Sequence, residues 1–173
     1  VLFAIIPVRM SAPPPAPRRI VTGHDAQGNA VVVKDEAVEM TPLPGTQIRR
    51  GVNYTVKSVP ANNHDENSLR PLKLDDIQPS NVANFFFVDI PPNASTPMRF
   101  NQSLDMALML LGELVMELPS GHKTFFKPGD CLVDRGVTHK SYNPSETEWA
   151  RIAVVAMPAE KVILPDGKGI GES

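Results

Sequence analysis

The sequence contains little cysteine and no long apolar run, and each scarcity excludes a class of protein. Cys131 is the only cysteine among 173 residues, so no intrachain disulfide can form. A small disulfide-stabilised secreted scaffold is therefore excluded, and we expect a reducing, cytoplasmic setting. The apolar stretch 1–6 ends at Pro7 and Arg9. It is too short to span a membrane and lacks the flanks of a signal peptide, so we expect no membrane partner.

The sequence also lacks an excess of positive charge. Lys and Arg number 17 against 19 Asp and Glu, which gives a formal net charge of −2. A chain of this balance has no broad cationic surface to neutralise phosphates, so we expect no nucleic-acid partner. A small uncharged or anionic molecule remains possible as the ligand.

Proline, by contrast, is abundant. The 18 prolines fall mostly between apolar runs, which favours many short strands over long helices. Met10 precedes a proline-rich run, 13–17, and resembles a natural initiator, so we expect residues 1–9 to be an upstream extension. We predict an N-terminal extension and proline-rich arm over residues 1–18 and a single barrel domain over residues 19–173.

Short apolar runs separated by Gly, Pro, Asn or Ser predict an all-β fold. The runs are Val31–Val33, Ile48–Val56, Phe85–Val88, Leu104–Leu111, Glu113–Leu118, Lys123–Phe126, Cys131–Val133 and Arg151–Met157. The continuous apolar run 108–111 predicts a strand buried on both faces. The polar segment 58–80 predicts a long loop.

The segment from Pro97 to Asn143 resembles the two-motif core of the cupin superfamily. The first motif reads Arg99-x-Asn101, three residues, Asp105, six residues, Gly112; the second reads Pro128-Gly129-Asp130, a strand, then Gly136-x-x-His139-x-x-x-Asn143. The wider sequence is similar to small single-domain cupins of fungal natural-product gene clusters. The resemblance implies a jelly-roll β-barrel with its pocket inside the barrel mouth, and small cupins of this kind are commonly dimers.

The chain departs from the family where the cupin motifs place their metal ligands. Arg99, Asn101, Asp105 and His139 stand at those positions. A guanidinium is always cationic and has no lone pair to donate, so we expect no metal and no other cofactor. His24, His64 and His122 lie in predicted turns or loops, where we expect them to be solvated.

The motif positions can carry acid/base chemistry without a metal. His139 can move a proton near neutral pH, and Asp105 can orient it or act as a second acid or base. Arg99 can hold a carboxylate or stabilise a developing oxyanion. We predict these three as catalytic residues, and Asn101, Tyr142 and Asn143 as substrate-binding residues. The alternative is a buried Arg99–Asp105 ion pair that replaces the metal structurally, with His139 merely hydrogen-bonded in the core.

Three functional hypotheses follow. The resemblance to fungal cluster cupins implies a metal-independent lyase (dehydratase), isomerase or cyclase that acts on a polyketide-like small molecule in secondary metabolism. The second hypothesis is a metal-dependent dioxygenase or decarboxylase, and the third is a non-catalytic ligand-binding cupin. Because the proline arm and the early strands lie outside the motif core, and exposed strand edges invite pairing, we also expect a homodimer.

Overall fold

The computed structural model describes residues 11–65 and 69–170, which form short strands and one 3₁₀ turn. The expectations for residues 1–9 and Met10 lie outside this part of the chain. No helix within it is long and apolar enough to cross a membrane. The strands are β1 Arg18–His24, β2 Ala30–Ala37, β3 Thr41–Pro42, β4 Arg49–Val56, β5 Ala83–Ile90, β6 Arg99–Phe100, β7 Ser103–Leu111, β8 Leu114–Glu117, β9 Lys123–Phe126, β10 Cys131–Arg135, β11 Thr138–Tyr142 and β12 Ala150–Pro158, and the 3₁₀ turn is Leu74–Asp76.

Two antiparallel sheets enclose the hydrophobic core. The large sheet has six strands in the order β10-β7-β12-β5-β4-β3, and the small sheet has four in the order β6-β11-β8-β9. Phe86, Met109 and Val154 of the large sheet pack with Leu114 and Phe126 of the small one. Two packed sheets with alternating inward side chains are the architecture of a jelly roll. The all-β, jelly-roll prediction is confirmed.

The N-terminal strands only partly extend the barrel. The strands β3 and β4 add to one edge of the large sheet. The hairpin β1–β2 instead forms a separate two-stranded sheet. Arg19 of this hairpin is buried and donates hydrogen bonds to the carbonyl oxygens of Asn53 and Arg70. A side chain, rather than backbone pairing, therefore ties the hairpin to the barrel.

The apolar run in β7 is buried on one face only, so the prediction of burial on both faces is wrong. Met109 is 2% exposed, whereas Leu108 and Leu110 are 40% and 39% exposed. Successive side chains of a strand point to opposite faces, and the outer face of the large sheet is left uncovered here by the described residues. The segment 58–80 lies between β4 and β5 and, where described, is a loop with a single 3₁₀ turn, as predicted.

The proline-rich arm lies on its own chain where the structure describes it, at residues 11–17. The Ser11 N–H donates to the Thr147 carbonyl at 2.8 Å, and the Trp149 indole donates to the Ser11 carbonyl at 3.1 Å. Arg151 donates to the Pro15 carbonyl at 2.8 Å. The arm is thus held by side chains at one end of the large sheet.

Candidate functional site

The inner faces of four strands bring an acidic pair and a basic pair together. Asp134 of β10 lies directly opposite Asp105 of β7. His139 of β11 lies directly opposite Arg99 of β6. Residues that are opposite each other on paired strands share a face, and Asp105 shares its face of β7 with the core residue Met109. The large sheet therefore contributes the carboxyl groups and the small sheet contributes the histidine.

The turn between β10 and β11 positions the histidine. Gly136 adopts a positive φ of 66°, which lets the chain reverse tightly after β10. The Asp134 carboxylate accepts a hydrogen bond from the Val137 N–H at 3.1 Å and fixes the turn. The glycine of the second cupin-like motif thus places His139 next to the strand that precedes it.

His139 and Asp134 form the central contact of the site. The Nδ1 atom of His139 lies 3.1 Å from an Asp134 carboxylate oxygen, with the side chains 13% and 2% exposed. The hydrogen bond to Asp134 raises the pKa of His139, although partial burial opposes this shift. Because Nδ1 is engaged, Nε2 is the ring nitrogen left for a substrate.

Asp105 is the second titratable group of the site. One of its carboxyl oxygens, Oδ1, is buried and has no hydrogen-bond partner. Burial raises the pKa of Asp105, and the negative charge of Asp134 raises it further, while a hydrogen bond from Ser103 and the positive charges of His139 and Arg99 oppose the shift. The environment therefore makes this carboxyl group a weaker acid than a solvent-exposed aspartate.

Arg99 lies at the rim of the site. Its side chain is exposed, and no ion pair joins it to Asp105 among the described residues. Its positive charge nevertheless acts on both Asp105 and His139. The three residues predicted to be catalytic thus occupy one neighbourhood, without the structural ion pair of the alternative hypothesis.

The three residues predicted to bind substrate are not gathered there. Asn143 is buried, and its side chain donates to the carbonyl oxygens of Ile90 and Glu148 and accepts from Ser145, so its capacity is used within the protein. Tyr142 is three residues from His139 on β11, so it lies on the opposite face, and its ring is 6.0 Å from the Lys140 ammonium.

Asn101 follows β6 directly and is partly buried, and its carbonyl oxygen faces Gly136. Its place beside the turn before β11 leaves it near the site. No contact of its side chain with His139 or Asp105 occurs in the described residues.

Sequence reasoning missed Asp134 and Arg50. Asp134 stands two residues before Gly136, inside the strand of the second motif, and an acid at an inward position of that strand was the available signal. Arg50 lies on β4, and its pKa is affected by the positive charge of Arg99 and by the negative charge of Asp105. No motif contains Arg50, because the barrel brings it there from 49 positions before Arg99.

The donor set does not fit a divalent metal ion. Within 11–65 and 69–170, no group of three or more His, Cys, Asp or Glu side chains is placed to hold one. The Nδ1 atom of His139 and the Asp134 carboxylate engage each other, and Arg99 occupies the position of a first ligand. A fixed guanidinium charge repels a cation in a site of low dielectric constant.

A largely apolar cavity of about 490 Å³, open to solvent, borders the site at Asp134, whereas His139, Asp105, Arg99 and Arg50 are not among its lining residues. Met116, Leu118, Leu132 and Val137 contribute to its wall. Its volume lies within the range of small-molecule pockets, which are apolar with a few polar groups. A smaller cavity of about 130 Å³, lined by Thr55, Arg70 and Asn81 among others, lies elsewhere, beneath the loop after β4.

Proteins of fungal biosynthesis clusters are similar in sequence. Oryzines biosynthesis cluster protein J of Aspergillus oryzae is 36% identical over 87 residues, which cover 50% of this chain and 48% of that protein. Phomopsin biosynthesis cluster protein C' of Diaporthe leptostromiformis is 27% identical over 90% of this chain and 85% of its own length. The cupin-domain-containing oxidoreductase virC of Hypocrea virens is 28% identical over 89% of this chain and 84% of its own length. No family model matches.

Solved cupin structures share the fold. A cupin-2 domain protein of Rhodospirillum rubrum superposes with a TM-score of 0.50 at 11% identity, over 74% of this chain and 75% of that one. The polyketide cyclase RemF of Streptomyces resistomycificus gives a TM-score of 0.50 at 18% identity, over 79% of this chain and 82% of its own. At these identities the structures establish the fold alone. The chain therefore has the cupin fold, and over most of its length it is similar in sequence to proteins of fungal biosynthesis clusters and to cupin-domain-containing oxidoreductases.

Proposed function

We propose that the protein is a metal-independent lyase (dehydratase), isomerase or cyclase that moves a proton on a polyketide-like small molecule in secondary metabolism. The observation that carries the proposal is the contact between His139 and Asp134 beside the buried carboxyl of Asp105. The pair of titratable groups offers one base and one acid at a single site. The cluster context of the sequence relatives and the polyketide cyclase named among the structures support the substrate class.

Each residue has a defined task in this mechanism. Asp134 holds the His139 ring, so that Nε2 removes a proton from a carbon of the substrate. Asp105, in its protonated form, donates a proton to the substrate oxygen that leaves as water or becomes a hydroxyl. Arg99 stabilises the negative charge that develops between the two transfers. Protons balance over the cycle once His139 returns its proton to Asp105 through the product or solvent.

The test begins with deletion of the gene in its native host and identification of the metabolite that accumulates. Complementation with the wild-type chain should restore the product, and His139→Ala should not. The exposed His122 provides the matched control, and His122→Ala should restore the product fully. Restoration by His139→Ala would exclude an acid/base role for that residue and favour a ligand-binding cupin.

A second candidate function is oxidoreduction, because relatives such as virC are named cupin-domain-containing oxidoreductases. The wild-type protein would then consume oxygen, or another electron acceptor, in step with the metabolite that accumulates in the deletion strain. Conversion with no change in redox state, measured by the masses of substrate and product, supports the proton-transfer reaction. A mass difference of two hydrogens or of added oxygen supports the oxidoreductase.

We further propose that the protein is a cytoplasmic homodimer of single barrel domains. Met106, Leu108 and Leu110 of β7 and Val133 of β10 expose an apolar strip on the outer face of the large sheet. Exposed apolar patches of this kind mark interaction surfaces, and β10 is also an open sheet edge. The strip carries no charge, so a second copy of the same strip is the partner that matches it about a two-fold axis.

A further inference from the structure

Arg50 projects from β4 into the barrel interior. It lies two residues from Ile48 and from Val52, so it shares a face of the strand with these two buried side chains. Its Nε atom is buried and makes no hydrogen bond. No carboxylate of the described residues forms an ion pair with Arg50, and its one aromatic contact is the ring of Phe86, 4.8 Å from the guanidinium carbon.

Other partly or fully buried arginines of the described chain behave differently. Each of them pairs with a carboxylate: Arg19 with Glu36, and Arg49 and Arg151 with Asp89. Two exposed arginines are also paired, Arg18 with Asp35 and Arg70 with Asp76. Arg99 and Arg135 have no such partner, but they are exposed to water. A cation withdrawn from water without an anion costs free energy, so the environment of Arg50 suits an anion from outside the chain.

The register of the large sheet directs Arg50 toward the site. Residues that lie opposite each other on neighbouring strands form a row across the sheet. Arg50 is in the row of Val88, and Phe86 is in the next row on the same face. Asp105 stands one row further in the same direction. The guanidinium carbon lies over the Phe86 ring, one row closer to Asp105. Burial lowers the pKa of Arg50 and the positive charge of Arg99 lowers it further, while the negative charge of Asp105 opposes the shift.

We propose that Arg50 and Arg99 together bind the carboxylate of a small organic acid, so that the substrate of this pocket is an anion held by two guanidinium groups. Planar guanidinium groups bind carboxylates through paired hydrogen bonds, so one carboxylate can accept hydrogen bonds from both arginines. The proposal deepens the proposed function, because it names the substrate class of the same pocket. It assigns Arg50 a binding role and leaves the proton transfer to His139.

Benzoate and its neutral analogue benzamide are suitable probes, measured by isothermal titration calorimetry on the full chain. We expect the wild-type protein to bind benzoate at least tenfold more tightly than benzamide. Arg50→Met should weaken benzoate binding by tenfold or more, the scale of a lost charge-assisted hydrogen bond. Arg18→Met, on the exposed hairpin, should bind as the wild type does. Benzoate binding is measured without turnover, so its result is separate from that of the proposed catalysis.

Folding of the variant is controlled by thermal unfolding without ligand. Arg50→Met should unfold at the wild-type temperature or above it, because an unpaired cation is replaced by an apolar side chain. If Arg50→Met does not fold, Arg50→Lys decides, since it keeps the charge but loses the forked donors and should bind benzoate with intermediate affinity. Absence of benzoate binding by the wild type, equal binding of benzamide, or unchanged binding by the folded Arg50 variant would each overturn the proposal.

Discussion

The two nitrogens of the His139 ring face different environments, and this difference is the basis of the proposed chemistry. Nδ1 lies 3.1 Å from the Asp134 carboxylate, which is almost fully buried. A histidine oriented in this way presents its other nitrogen in a fixed direction and tautomer. Asp134 is therefore a positioning residue, whereas His139 is the residue that meets the substrate.

Replacement of Asp134 tests this division of tasks. In Asp134→Asn the negative charge is lost but an oxygen remains to accept the Val137 hydrogen bond, so we expect the pKa of His139 to fall. Titration of the histidine ring signals by NMR measures this change, and the exposed histidines, His24, His64 and His122, report any general effect. An unchanged pKa of His139 would contradict the contact.

The same contact makes stability depend on pH. The folded-state pKa of His139 is raised, so its contribution is complete below the unfolded value of about 6.5 and is lost as the pH rises through the folded value. Asp134→Asn should therefore destabilise the protein most near pH 6, by about 1–3 kcal/mol. The difference from the wild type should shrink above the folded-state pKa. Urea unfolding at a series of pH values measures it.

At the scale of elements, a buried ion cluster joins three strands of the large sheet. Asp89 of β5 is fully buried, accepts two hydrogen bonds from Arg151 of β12 at 2.5 and 2.8 Å, and accepts one from Arg49 of β4 at 2.6 Å. The two arginines also donate to carbonyl oxygens of the proline-rich arm, at Pro14 and Pro15. One carboxylate thus connects the sheet and the arm that covers its end.

Asp89→Asn should be strongly destabilising. It leaves two arginines without a buried counter-charge, which costs about 3–5 kcal/mol. The exposed pair of Arg18 and Asp35 supplies the control, and Asp35→Asn should leave the free energy of unfolding almost unchanged. Denaturant unfolding of both variants compares them, and equal small losses would mean that the cluster contributes little.

The strand boundaries were predictable because they depend on local signals. Runs bounded by Gly, Pro and Asn became β4, β7 and β9 to within one residue at each end, and the second motif located His139. The run Phe85–Val88 covers only the middle of β5. Asp134 and Arg50 could not be found in this way. Their place in the site depends on which strands pair and in which register. In the large sheet β10 pairs with β7, which is not its neighbour in the sequence.

The exposure of Leu108 and Leu110 has a similar cause. The sequence does not show whether an apolar side chain of a strand faces the core or the outside. A continuous apolar run therefore fits both a strand that its own chain covers on two faces and a strand with one face exposed for a partner. The structure resolves the ambiguity within one chain, since these side chains lie on the outer face of the large sheet.

For the whole molecule, the outer strip predicts the state of association. Light scattering at micromolar concentration should give the mass of a dimer, and Leu108→Glu should shift it toward the monomer because a charge would be buried between two copies. Phe125 is exposed on β9 in the small sheet, so Phe125→Glu is the matched control and should stay dimeric. A monomeric wild-type protein would contradict the proposal.

The central claim is that the pocket works by proton transfer from the substrate to His139 without a metal ion. The most direct test is conversion of the accumulated metabolite by metal-depleted wild-type protein and by His139→Ala, each with and without chelator, with the metal content measured on the same samples. The account predicts full activity of the depleted wild type, no effect of chelator, and a loss of roughly a hundredfold or more in His139→Ala. Stoichiometric iron, zinc or manganese in the purified protein, with activity abolished by chelation and restored by that metal, would contradict it.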